Sequence, residues 1–71
     1  MTEQDRQDAL LHPRAGDVIQ IGRRRYQVES YRPSGWVGYR QSGLPKVWEQ
    51  RIDDWRKWTS TATLVKRGPN A

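Results

Sequence analysis

Short alternating apolar runs, broken by turns containing glycine or proline, predict a mainly β domain of five strands with a helical turn before the last of them. Three observations carry that expectation. Val18, Ile19 and Ile21 in DVIQI, and Tyr26 and Val28 in RRYQVESY, recur at strand spacing. Gly22, and then Pro33, Ser34 and Gly35, stand where hairpins would turn. Leu64 and Val65 lie near β-branched threonines at the far end.

In chain order, residues 1–13 form an acidic arm, with three carboxylates (Glu3, Asp5, Asp8) against Arg6. Thr2 is placed to cap a helix over this arm, and a frayed helix or a disordered segment both fit its polar composition. Pro13 closes the arm, because the residue before a proline is pushed out of helical geometry. Residues 14–67 form the single folded domain. Its first part, 17–41, reads as a three-stranded meander ending in WVGYRQ. Ser42 to Pro45 break the pattern. Over KVWEQRIDDWRKWTS helical and strand periods compete, and the expectation is a strand from Lys46 to Ile52, then a helical turn over DWRKWTS capped by Asp53. Thr61 to Arg67 form the fifth strand, and residues 68–71 a C-terminal tail.

Seventy-one residues suffice for one small core. Cysteine and phenylalanine are absent, while four tryptophans and three tyrosines are present. Disulfides and thiolate metal sites are therefore excluded, and indole and phenol rings must supply the bulk of the core. Trp48, Trp55, Trp58 and Tyr26 are assigned to that structural role. The lack of cysteine suits a reducing compartment, and no apolar run approaches the length of a signal-peptide core or membrane span, so a cytoplasmic protein is expected.

The order of five strands, tight hairpins and a helical turn before the last strand resembles the small SH3-like barrels, including Tudor and KOW-type modules. The likeness covers roughly Arg14 to Arg67, and GDVIQIGRRRYQVES resembles the first hairpin of several small prokaryotic barrel domains. It implies a five-stranded SH3-like barrel. It hardly constrains function: no PxxP-binding signature or long acidic peptide-binding loop is present, and the KOW glycine pattern is incomplete.

Chemistry of the catalytic kind finds little material. His12 is the sole histidine, Asp53 and Asp54 are adjacent and so cannot face one another as a dyad, and no phosphate-cradling loop or nucleophile elbow occurs. The expectation is a non-enzymatic protein with neither cofactor nor metal. Charge points elsewhere. The chain carries 13 Lys and Arg against 8 Asp and Glu, and from Arg14 onward the excess is strongly basic. Arg23, Arg24 and Arg25 fall on a predicted hairpin tip, and Arg32 and Arg40 lie on the neighbouring strands that pair through the Pro33 turn, with Tyr31, Tyr39 and Trp36 nearby as stacking partners. Rings that stack on bases and guanidinium groups that fork onto phosphates make DNA or RNA the expected partner. The alternative is an adaptor or inhibitor, of mobile-element origin for example, docking an acidic protein through Trp36 and the same arginines. Monomer and homodimer are both open, since a small barrel can bury an edge strand against its copy.

Overall fold

The structure, a computed structural model, describes residues 2–69. Met1 of the expected arm and residues 70 and 71 of the expected tail lie outside the described residues. The elements are α1 (Glu3–Leu11), β1 (Val18–Ile21), β2 (Arg24–Arg32), β3 (Trp36–Gln41), β4 (Val47–Arg51), α2 (Ile52–Trp58) and β5 (Thr63–Lys66). The five strands form one antiparallel sheet in the order β4-β3-β2-β1-β5. The mainly β expectation thus holds at the level of strands and helices. The sheet itself is open: β4 and β5 are its two edges.

Local chemistry explains the elements. Gly22 takes φ +61°, the left-handed geometry that lets Ile21 pair with Arg24 across a two-residue turn. At the second turn the Gly35 N–H donates to Arg32 O (2.9 Å) around Pro33 and Ser34. An irregularity in the β2–β3 ladder between Val28 and Ser30 leaves Glu29 as the extra residue. Beyond it Tyr31 returns to the face it shares with Val37.

The arm is a helix. Thr2 Oγ1 accepts from the Asp5 N–H, and the Asp5 carboxylate accepts from the Thr2 N–H, both at 3.2 Å, completing a capping box. The Thr2 backbone and hydroxyl hold the Asp5 carboxyl below its ordinary value. The helix is docked through its arginine: Arg6 donates to Ala62 O (2.7 Å) and Ser60 O (2.6 Å), Arg56 donates to Leu11 O (2.8 Å), and Ala9 is buried. Three hydrogen bonds thereby tie the arm to residues 56–62, which the polar sequence of the arm does not advertise.

The segment 46–58 resolves into strand and then helix, with a corrected start. Arg51, not Asp53, is the N-cap, and no side chain caps the helix. The Ile52 N–H donates instead to Gly35 O (2.8 Å), so a tertiary bond to the β2–β3 turn replaces the local cap. Asp53 and Asp54 lie in the first turn and Arg56 and Lys57 in the last, the order the helix dipole favours. The last strand is shorter than 61–67, because Thr59 to Ala62 form a turn and Arg67 leaves the ladder.

Helix α2 carries Trp55 and Trp58 three residues apart, hence on one face, and lays them on the sheet. Trp55 is fully buried among Ile19, Val28, Val37, Tyr39 and Ala62. Ring centroids lie 5.6 Å apart for Tyr39 and Trp55, 5.1 Å for Tyr39 and Trp58, and 4.8 Å for Tyr26 and Trp58. These tilted and edge-on contacts do the work phenylalanines would do in another small core.

Arg67 and Gly68 tie the C-terminal segment to the domain. Asp17 is fully buried; its carboxylate accepts from Arg67 Nη1 (2.9 Å), Gly68 N (2.5 Å) and Arg14 N (2.9 Å). Gly68 is buried against Ala15, where an added Cβ would lie 2.2 Å from the carbonyl oxygen. Only glycine fits that approach. Among the described residues, no helix is long and apolar enough to cross a membrane.

Candidate nucleic-acid interface

Antiparallel pairing sorts the sequence-predicted residues onto two faces. On the α2-covered face, β2 and β3 place Arg24, Tyr26, Val28, Val37, Tyr39 and Gln41. On the opposite, uncovered face lie Arg25, Arg40, Arg32 and Trp36, with Glu49 and Arg51 from β4. The eight candidate residues are therefore not one surface.

The uncovered face neutralises much of its own charge. Arg32 pairs with Glu49, and Arg40 pairs with Glu29 while also donating to Leu44 O at 3.3 Å. Arg51 lies over the half-buried Trp36 ring, 5.1 Å from its centroid. Trp36 is thus half-buried and engaged by a cation of its own chain. Arg25 is exposed and donates to Gln20 Oε1 at 3.1 Å.

Arg23 and Arg24 differ from these. Both are exposed at the β1–β2 turn, and among the described residues neither guanidinium meets a carboxylate. With Arg25 they form a cationic tip whose field is not cancelled locally. Arg24 also borders a groove of about 290 Å³ at the open end of the α2-covered face, walled by Tyr26, Tyr39, Gln41, Trp48 and Trp58.

Tyr39 and Trp48 differ from expectation in their exposure. Tyr39, a candidate for stacking, is only 7% exposed and is held in the core by three rings, with just its margin reaching the groove. Trp48, assigned to the core, is 50% exposed. It pairs directly with Tyr39 but sits on the edge strand, beyond the reach of α2's cover. Lys46 Nζ stands 3.9 Å from its ring centroid. Local spacing cannot distinguish a tryptophan on an edge strand from one on a central strand; the pairing order decides it. Tyr31 is half-buried on the covered face, at the end of β2 remote from the arginine tip.

Burial pushes the Tyr39 phenol up, and the neighbouring Tyr26 adds to the shift. Its sign sets a pH dependence. The folded chain holds the Tyr39 proton more tightly than the unfolded chain, so stability is level below the ordinary value near 10 and falls as pH rises through the interval up to the raised value. Urea midpoints measured across alkaline pH should fall in the wild type and flatten in Tyr39→Phe, and equal slopes in the two proteins would contradict this assignment.

Among the described residues, no three His, Asp or Glu side chains converge as a metal site. Comparison with protein-family models, with curated proteins and with solved structures gives no match.

Proposed function

We propose that this protein is a non-enzymatic nucleic-acid-binding module whose contact surface is the β1–β2 end of the sheet. The observation that carries the reading is the juxtaposition of three exposed arginines, none of which meets a carboxylate among the described residues, with an aromatic groove that shares Arg24 as a wall. Guanidinium groups take phosphates and the rings offer stacking surface, a pairing suited to a strand with both charge and bases. The contact set is Arg23, Arg24 and Arg25 with Tyr26, Trp48 and Trp58. Arg32, Arg40 and Trp36 are outside it because their own neighbours engage them. The strand order and the helix between β4 and β5 support reading the fold as an open relative of the SH3-like barrels.

Fluorescence anisotropy of labelled oligonucleotides at two salt concentrations tests the reading. Replacing Arg23, Arg24 and Arg25 together by alanine should weaken binding by about tenfold or more and lower the logarithmic salt slope by roughly two to three. Arg32→Ala should change the slope by far less. An unaltered slope in the triple variant would place the contact elsewhere.

One observation favours a second reading, a protein partner. Val47 and Trp48 at the start of β4, and Leu44 in the turn before it, are about half exposed (51%, 50% and 51%), and among the described residues the outer backbone groups of this edge strand have no sheet partner. An extended acidic segment could add to β4 there. Backbone amide protection along β4 in the presence of such a partner, with no oligonucleotide binding, would select this reading over the first.

A further inference from the structure

Within the nucleic-acid reading, on which this step rests, we infer that the groove is a pocket for an unpaired base and that the ligand is a single strand rather than a duplex. The walls are four aromatic rings, an amide and a guanidinium: Tyr26, Tyr39, Trp48, Trp58, Gln41 and Arg24. At about 290 Å³ the groove lies at the small end of ligand pockets, far too small for a helical stack. Bases in a duplex present only their edges to the grooves, with their faces turned to each other, so an aromatic wall meets a base face only where the strand is unpaired.

Each wall has a part in this. Trp48 offers half of its surface to solvent and is held at one end of the groove by its pairing with Tyr39. It is the stacking platform. Tyr39 and Trp58 are packed into the core rings 5.1 Å from one another, so the floor of the groove is rigid and does not have to be ordered when a base enters. The Gln41 amide has no side-chain hydrogen-bond partner among the described residues, and it carries both a donor and an acceptor for a base edge. Arg24 closes the arginine end, with Arg23 beside it at the turn to hold a phosphate that flanks the bound base, while Arg25 adds its charge from the opposite face.

The distribution of charge argues the same way. A duplex surface is met by a broad cationic stripe, but here Arg32 and Arg40, which would extend the stripe along the sheet, are paired with Glu49 and Glu29 on the other face. What remains is a short cationic tip beside an aromatic pocket. Lys46, 3.9 Å from the Trp48 ring centroid, adds one charge at the far end.

The test uses the full chain and three polyanions: a single-stranded oligothymidylate of about a dozen nucleotides, a DNA duplex of the same length, and inorganic polyphosphate of matching charge. Binding is read by intrinsic tryptophan emission and by competition against a labelled strand. The single strand should bind roughly tenfold or more tightly than either competitor and quench the emission. Trp48→Leu should abolish most of the quenching and weaken single-strand binding by a similar factor, while Trp48→Phe should recover much of the affinity. Because Trp48 is half-exposed on an edge strand, both variants should keep the wild-type far-ultraviolet dichroism. Duplex or polyphosphate binding as tight as the single strand, with Trp48→Leu neutral, would overturn the base pocket and leave the cationic reading standing. If none of the three binds at low salt, both fall.

Discussion

Asp17→Ala should unfold the domain, or leave it so close to its midpoint that mild urea completes the transition. The carboxylate has no exposure to solvent and satisfies Arg67, Gly68 N and Arg14 N at once. Removing it leaves the largely buried Arg67 guanidinium without its counter-charge and two backbone N–H groups without an acceptor. Losing one partner of a buried pair costs about 3 to 5 kcal/mol. A core of this size rarely supplies more than about that much in total. Asp17→Asn keeps acceptors for the backbone groups but not the charge, and should fall between. In the double variant Asp17→Ala, Arg67→Met the second change should restore part of the loss, since the stranded charge goes with it. Urea titrations of the four proteins check the order, and a fully stable Asp17→Ala would show that the clamp on the C-terminal segment is dispensable.

The second large effect is expected at Trp55. It is the largest fully buried side chain, delivered by a seven-residue helix that has no side-chain cap of its own. Trp55→Ala removes the ring against which Tyr39 and Trp58 pack, at a cost of about 3 to 5 kcal/mol. That again matches the whole stability of so small a domain, so α2 should detach and the sheet lose its cover. Trp55→Phe is the informative companion. Among the described residues the buried Trp55 indole N–H has no hydrogen-bond partner, so a phenyl ring gives up no bond to them and leaves a smaller cavity than alanine. It should remain folded with a lowered thermal midpoint. A Trp55→Phe variant as unstable as Trp55→Ala would mean that the indole nitrogen has a partner, for example an ordered water.

Much of the fold is legible in the sequence because its elements are set locally. DVIQI and RRYQVESY alternate on either side of a glycine that the hairpin needs, and each became a strand joined by that turn. The strand-then-helix reading of residues 46–58 was recoverable because Glu49 and Arg51 alternate with Trp48 and Gln50, and because Asp53 and Asp54 sit where a helix dipole accepts them. What sequence could not supply was the source of the helix's first hydrogen bond, a backbone carbonyl at Gly35 seventeen residues away in the chain. The same limit explains Asp17. Its partners Arg67 and Gly68 lie at the opposite end of the chain, and no local pattern marks the residue as buried.

The candidate site was legible in part for the same reason. A run of three arginines at a turn is local, and the structure places all three in exposed positions. Assigning the aromatics demanded strand order. Tyr39 and Trp48 occupy directly paired positions, yet one lies on a central strand under α2 and the other on an edge. Arg32 and Arg40 look available in sequence because Glu49 and Glu29 are distant from them in the chain and meet them only across the sheet, Glu49 from the far side of β3.

The most direct test of the binding surface is an isotope-labelled resonance titration with a single-stranded oligonucleotide, following the four tryptophan indole N–H signals and the arginine Nε–H signals. The Trp48 indole and Arg23, Arg24 and Arg25 should shift together and saturate, with Trp58 following and the Trp36 indole and Arg32 unmoved. Shifts centred on Trp36 and Arg32, or no saturable shift at low salt, would contradict the assignment of this surface.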